Sequence, residues 1–477
     1  MKKIINNIIR VVAFITHLIF IIYLIKLNVL PILYLSIIIG VIVIIDVISW
    51  ILISKGKIKL IIGYVLLFII SIISCFGIYY TYTTDNFLSS LKEVEERQLY
   101  YVVVKKDSDY SKLKDLNNKS MAVFENQSGN YKKALNNVED IINIKDKKYA
   151  NMNTIVKDLL DNNVDSLLIN SNSKDLLDEN VKSFKENTKV IAKLSIKIEN
   201  SESKKESNEQ EERNYELNDG SFNVLISGID TDGNINKVSR SDVNIIMTVN
   251  PNTHKVLLTS VQRDMYVQLH GTTGLKDKLT HAGIYGIDMS RQTLEDFLDV
   301  DIPYYIRVNF DSVVKLIDAI GGVDIYNDIA FKRYYLYFPK GNIHLNGKEA
   351  KEYARERKQM PNGDWTRGEH QKTVITAIIK KITNSKELLT NYGDILDSTK
   401  DVVQTNIPTD LIKKLVKDQL STMSSWDVES TYVAGTGFDY RETYTMPGMD
   451  LYVTYPDEDS VKSVSKQIKD VLEEKKL

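Results

Sequence analysis

The sequence has a single cysteine, Cys75, inside an apolar run. Everything downstream lacks cysteine, so disulfides and cysteine-based zinc sites are excluded there, and an exported portion would rest on its core alone. Charge of one sign is missing too, since 61 basic residues against 63 acidic ones leave a formal net charge of −2. No global basic field therefore argues for nucleic acid as a partner. No G-x-S-x-G elbow, H-E-x-x-H helix, C-x-x-C pair or Walker loop is present, and His281 and His370 do not form a metal-ligand spacing.

Long apolar runs, by contrast, fill the start of the chain: Ile8 to Leu27, Leu33 to Ile53 and Leu60 to Tyr80. Each is near the roughly 20 residues that a helix needs to cross a bilayer. A cleaved signal peptide would carry one shorter apolar core, so the pattern predicts three spans and no signal peptide. Lys2, Lys3 and Arg10 open the first run, Lys55, Lys57 and Lys59 separate the second from the third, and only Lys26 lies between the first two. This bias puts the N-terminus in the cytoplasm and everything after about Thr81 outside a multi-pass cell-membrane anchor. Asp46 sits inside the second span, where a carboxylate is costly unless it pairs within a bundle or lies near an interface.

The composition divides the chain into a three-span region (1–82), a small accessory α/β domain (83–198), a polar linker (199–221) and a final domain (222–477). TYTTDNFLSSLKEVEERQ reads as a short helical stalk. YYVVV, MAVF, SLLI and KVIAKLSIKI then read as strands by their β-branched content, and NMNTIVKDLLDNN has helical periodicity. The linker is nearly free of apolar residues and cannot bury enough surface to offset chain entropy. In the final domain FNVLISGI, VNIIMTVN and KVLLTSV are strands, the last two joined by a turn at PNTH, and five amphipathic helical patterns follow. The expected fold class is α/β, a mixed central sheet flanked by helices.

Two polar islands interrupt this core. If the three strands pair antiparallel, the end of the first, the start of the second and the end of the third share one rim, so Asp230, Arg240, Asp242 and Arg263 converge. The second island, YARERKQMPNGDWTRGEHQK, gathers Arg355, Arg357 and Arg367 beside Asp364 and Gln371. Arginine suits planar, bidentate capture of phosphate because its guanidinium stays charged and its donors are fixed. Arg355 and Arg357 reach one site only if the helix ends there, which Pro361 and Gly363 allow, while Arg367 and Gln371 share a face at the start of the next helix. Carboxylates among arginines suit Mg²⁺, which binds through one or two carboxylates plus phosphate oxygens. Any one of these arginines alone would read as a solvated surface charge. As a set they point to a phosphorylated, metal-bound substrate.

SRSDVNIIMTVNP, SVQRDMYV, KLTHAGIYG, VNFDSVVKLIDAIGGVDI, HLNGKEAKEYARERK and GDWTRGEHQKTVI resemble, in order, the motifs of the LytR–CpsA–Psr family, over about Phe222 to Ile382. The three spans and accessory domain look like its capsule-associated branch. The resemblance implies a phosphotransferase moving a glycopolymer (wall teichoic acid, capsule or a related polymer) from an undecaprenyl-pyrophosphate carrier to peptidoglycan, at the 6-hydroxyl of N-acetylmuramic acid. It also implies Asp230 and Asp242 as ligands of Mg²⁺ (or Mn²⁺), and Arg240, Arg263, Lys278, Arg355, Arg357, Arg367 and Gln371 as pyrophosphate-binding positions. Arg263 and Arg240 stabilise charge in this scheme, and Asp264 or Asp364 is available as a base or as a partner for the neighbouring arginines. Gln262 stands where many members have proline, and His370 and Lys372 where many have arginine and a second glutamine. A polyprenyl-pyrophosphate phosphatase and a non-enzymatic regulator that binds the carrier are the rival expectations. The carrier tail would need an apolar slot, for which FDSVVKLIDAI and TVITAIIKKI offer faces.

Overall fold

The computed structural model describes residues 2–90, 96–125, 129–198, 220–229, 235, 237–384 and 403–474. The first three elements are helices α1 (Lys2–Leu27), α2 (Ile32–Ile53) and α3 (Lys57–Ser90), each long and apolar enough to cross a membrane. Helix α3 continues past its apolar run, so the expected stalk prolongs the third span as far as Ser90. Asp46 finds its partner inside the bundle. His17 Nδ1 lies 2.9 Å from its carboxylate and His17 Nε2 lies 3.0 Å from Ser71 Oγ, tying all three helices through one imidazole. In an apolar medium such pairing satisfies groups that would otherwise lack partners.

A first lobe follows, with strands β1 (Arg97–Lys105), β2 (Lys119–Phe124), β3 (Ile144–Tyr149), β4 (Ser166–Asn170) and β5 (Thr188–Lys197) in the order β3-β2-β4-β1-β5. Strand β2 runs parallel to β3 and β4, and β1 is antiparallel to β4 and β5. Val102, Val103 and Val104 alternate between two cores on opposite faces of the sheet, which is why this strand reads as a continuous apolar run. Of the expected linker, 199–219 lies outside the described residues.

The second lobe is built on β6 (Phe222–Ile229), β7 (Ser241–Asn250), β8 (Lys255–Ser260), β9 (Tyr304–Asn309), β10 (Val403–Thr405) and β11 (Asp427–Tyr432), in the order β10-β9-β6-β7-β8-β11. The pairs β6–β7, β7–β8 and β9–β10 are antiparallel, and β9 and β11 run parallel to β6 and β8, so the sheet is mixed. Leu225, Ile246 and Leu257 pack on one face against helices Ile287–Leu298 and Glu458–Glu473. On the other face Val224, Ile245 and Leu258 meet partly buried Ile375, Ile379, Leu411 and Leu415. Three further helices position the site: α4 (Phe310–Ala319), α5 (Gly347–Arg355) and α6 (Asp364–Asn384). Asn309 caps α4 in a reciprocal box with Ser312, and Gly321 and Gly322, at φ +76° and +79°, turn the chain after it in a conformation that favours glycine.

The lobes share a core, in which Met152 and Leu177 of the first pack with Ile284, Met446 and Met449 of the second. A buried Glu96–Arg307 pair crosses the seam. Helix Thr409–Thr422 of the second lobe rests on one end of the membrane bundle, with Lys413 Nζ 3.5 Å from Asp85 and Lys417 Nζ donating to Asn28 Oδ1 at 3.1 Å.

Candidate active site

The antiparallel register places Ile229 beside Ser241 and Ile245 beside Ser260, so the rim deduced from the three strands exists. Asp242 lies at the start of β7, and Arg263, three residues beyond β8, donates from Nη1 to Asp242 Oδ2 at 2.9 Å. Thr280 Oγ1 donates to the other oxygen at 3.0 Å. Burial works to raise the Asp242 carboxyl, yet the charges of Arg263, Arg367 and Arg240 hold it below the usual carboxylate range. The Arg263 guanidinium, although burial opposes its charge, is held firmly charged by Asp242, Asp264 and Asp364.

The second island folds as its spacing requires. Helix α5 ends at Arg355, and Glu356 is extended at φ −70°, ψ 128°, which redirects the chain so that Arg355 and Arg357 line the same cavity. Arg355 lies over the Phe310 ring at 4.3 Å. Arg367 and Gln371, one turn apart on α6, face the cavity together, and Arg367 Nη2 is 2.6 Å from Asp364 Oδ1. Gln371 Nε2 donates to the Ala354 carbonyl at 3.4 Å. Burial outweighs the neighbouring guanidinium and pushes the Asp364 carboxyl above its ordinary value, and the same burial lowers Arg367.

These side chains enclose a cleft of about 490 Å³ lined by Asp242, Arg263, Arg355, Arg357, Arg367 and Gln371. Among the described residues, Arg240, Asp264, Lys278 and Asp364 are not on its wall. Arg240 is held by a bidentate pair with Glu179 of the first lobe, both contacts 2.8 Å, so Arg240 and Asp242 diverge where extended backbone alone would align them. Arg240 precedes the first residue of β7, and its extended alternation does not start there. Lys278 is 2.5 Å from Asp264 and stands behind the cleft as that carboxylate's partner. Asp264, which burial would raise, is held low by Lys278 and Arg263. Asp230 lies outside the described residues.

Sequence reasoning missed Arg333, Phe310 and Tyr334, which also line the cleft. Arg333 is paired with Glu352 and Glu356, at 2.5 and 3.0 Å, and nothing in FKRYYLYF distinguishes it from a surface charge. The atypical residues of the second island turn away: His370 stacks on Tyr353 at 4.1 Å, with burial lowering its pKa, and Lys372 donates to the Thr431 carbonyl at 2.8 Å. Neither of them lines the cleft.

The profile of the LytR_cpsA_psr family matches residues 188–470. The chain belongs to this family. Among its relatives in the LytR_cpsA_psr group is TagU of Bacillus cereus (strain ATCC 14579), a polyisoprenyl-teichoic acid–peptidoglycan teichoic acid transferase, 39% identical over 215 residues that cover 45% of this chain and 69% of the relative. TagU of Bacillus subtilis (strain 168), with the same description, is 34% identical over 257 residues, 53% of this chain and 78% of that one. The crystal structure of B. subtilis TagV, 29% identical, covers 55% of this chain and 100% of its own, with a TM-score of 0.46. The cleft and both polar islands fall inside the matched residues.

Proposed function

We propose that this protein is a membrane-anchored transferase that moves a glycopolymer from undecaprenyl pyrophosphate to peptidoglycan, at the 6-hydroxyl of N-acetylmuramic acid. The observation that carries the reading is the arginine-lined cleft, whose surplus of fixed guanidinium donors matches a diphosphate. The named activities of the TagU relatives favour the same reaction class. A phosphorylated sugar end would be gripped by Arg263, Arg355, Arg357 and Arg367, with the Gln371 amide as a neutral donor. The acceptor hydroxyl attacks the sugar-side phosphorus, the phosphoanhydride bond breaks, and undecaprenyl phosphate leaves with the electron pair. Arginines aimed at the leaving phosphate act where charge builds, which is the main source of rate in such transfers. Of the nearby acids, Asp364, with its raised carboxyl, is the better base for the hydroxyl proton, while Asp264 is locked to Lys278 and positions it.

Among the described residues no three acidic, histidine or cysteine side chains are placed to hold a metal ion by themselves. Mg²⁺ does not need three, because phosphate oxygens and water complete its shell. Asp242 supplies a carboxylate, and the buried Gln262 Oε1, on the adjoining small pocket, has no hydrogen-bond partner. These hard oxygens fit Mg²⁺ or Mn²⁺, and Asp230, the next residue in the sequence after β6, would be the second carboxylate. Bound there, the ion would offset charge on the diphosphate. The partly buried Ile375 and Ile379, packed with Leu411 and Leu415 of the helix that rests on the bundle, would offer the polyprenyl tail an apolar face. The lysine distribution favours a cytoplasmic N-terminus and an extracytoplasmic catalytic lobe.

The test is full-length protein in lipid nanodiscs with a synthetic polyprenyl-diphosphate oligosaccharide, peptidoglycan and Mg²⁺. The expected product is oligosaccharide joined to peptidoglycan by a phosphodiester, lost with EDTA. Release of free glycan phosphate would replace transfer by hydrolysis, and binding without turnover would leave a carrier-binding regulator.

A further inference from the structure

A second cleft, of about 730 Å³, lies between the two lobes, apart from the arginine site. One wall is made where the parallel strands β2, β3 and β4 end: Phe124, Tyr149 and Asn170 are their last residues. The crevice beyond the carboxyl ends of parallel strands is where open α/β sheets receive ligands. The facing wall belongs to the second lobe and carries Tyr285, Tyr444 and Thr445.

The floor is fixed by internal bonds. Gln98 accepts from the Tyr100 hydroxyl at 3.0 Å and donates to the Ile284 carbonyl at 3.3 Å, and the Tyr131 hydroxyl donates to the Leu168 carbonyl at 2.8 Å. The walls are left with spare capacity. Asn170 Oδ1 caps the next helix by accepting from the Ser173 N–H at 2.7 Å, while its Nδ2 has no partner among the described residues. Glu125 and Lys132, both exposed, also line the cleft. Phe124, Tyr149 and Tyr285 are half-buried and Tyr444 is exposed, so ring surface is available on both sides.

Aromatic faces offer an apolar platform to the C–H faces of pyranose rings, and an amide, a carboxylate and an ammonium group match sugar hydroxyls and acetamido groups. One carboxylate and one ammonium group balance, so nothing here imitates the cationic surplus of the arginine cleft, and a phosphate is not the ligand. We propose that the inter-lobe cleft binds a glycan chain, a short run of sugar rings held away from the diphosphate. The cleft and the arginine site share structure through Thr445, whose N–H and Oγ donate to the Asp277 carboxylate at 2.7 and 2.5 Å, next in sequence to Lys278. The glycan has two possible sources, the polymer being transferred and the peptidoglycan strand that receives it.

The experiment is calorimetric titration of the full-length protein in nanodiscs with two lipid-free, diphosphate-free probes. One is a peptidoglycan tetrasaccharide of alternating N-acetylglucosamine and N-acetylmuramic acid, the other a phosphate-free oligosaccharide of neutral sugar rings that stands for the polymer being transferred. Binding of either probe supports the proposal, and the probe that binds more tightly identifies the source. Tyr444→Ala should weaken that binding about tenfold, the factor one lost ring contact carries. Asn170→Asp keeps the capping oxygen, so the lobe stays folded, and should weaken binding several-fold by removing the free donor. No binding of either probe, or binding that survives both substitutions unchanged in proteins of unaltered melting temperature, overturns the proposal. Because no diphosphate is present, a failure of transfer in the nanodisc assay leaves this result standing, and a failure here leaves the transfer reading standing.

Discussion

Arg307 and Arg263 belong to the same lobe and are used in opposite ways. At the seam Arg307 is 2% exposed, pairs with Glu96 and donates to the Lys237 carbonyl at 3.0 Å. In the cleft Arg263 is 22% exposed, Arg367 12% and Arg357 40%, and they divide few carboxylates among several guanidinium groups. The seam is closed and neutral; the cleft is open and positive. A matched buried pair stabilises an interface and asks for nothing further. Guanidinium groups in excess, held in place by packing, leave unspent charge for an anionic ligand.

The largest expected effect lies at the seam. Arg307→Ala strands the Glu96 carboxyl and should destabilise the two lobes by about 3–5 kcal/mol, read as a lower urea midpoint. In the cleft the sign of the comparison reverses. Arg357→Ala, at a guanidinium 40% exposed and 3.9 Å from Asp364, should cut transfer by about 10²–10³-fold with little change in melting temperature, because it would remove a donor to the phosphate while stranding no close buried partner. A cleft variant that unfolds the protein, or a seam variant that abolishes transfer while leaving it stable, would break the distinction. A smaller effect concerns Arg240. Its pair with Glu179 is partly exposed, and such pairs contribute about 0.2–1 kcal/mol, so Glu179→Gln should release Arg240 and tighten diphosphate binding by up to about fivefold. Unchanged or weaker binding would mean that Arg240 serves the lobe contact alone.

The smallest effect is in pH. Asp242 has a folded pKa depressed below its unfolded value of about 3.9, so its contribution to stability is present above that value and lost as pH falls through the folded pKa. Acid melting curves should therefore fall below about pH 4, and Asp242→Asn should flatten that fall, with Asp264, also held low, accounting for what is left.

Much of this arrangement was legible in the residues. The three spans, the mixed sheet and the rim of the first three strands follow from apolar run length and alternation, and a helix end near Arg355 is allowed by the Pro361 and Gly363 that come after it. What was not legible depends on partners far away in sequence. Glu179 reaches Arg240 across 61 residues and between lobes, so no local pattern could show that this guanidinium is occupied. His17 satisfies Asp46 from another helix in the same way. Arg333 and Phe310 sit in segments whose composition suits a hairpin and a helix start equally well, and only the folding of α4 and α5 against each other brings them to the cleft.

The most direct measurement is the affinity of a short polyprenyl diphosphate for the full-length protein in detergent, compared among wild type, Arg263→Gln, Arg367→Gln and the seam variant Arg307→Lys. Binding should weaken at least about tenfold in each cleft variant and stay within about twofold of wild type in the seam variant, since each lost charged hydrogen bond is worth about 1.5–3 kcal/mol. Equal affinity across all four proteins would contradict the claim that surplus guanidinium charge in this cleft is what holds a diphosphate.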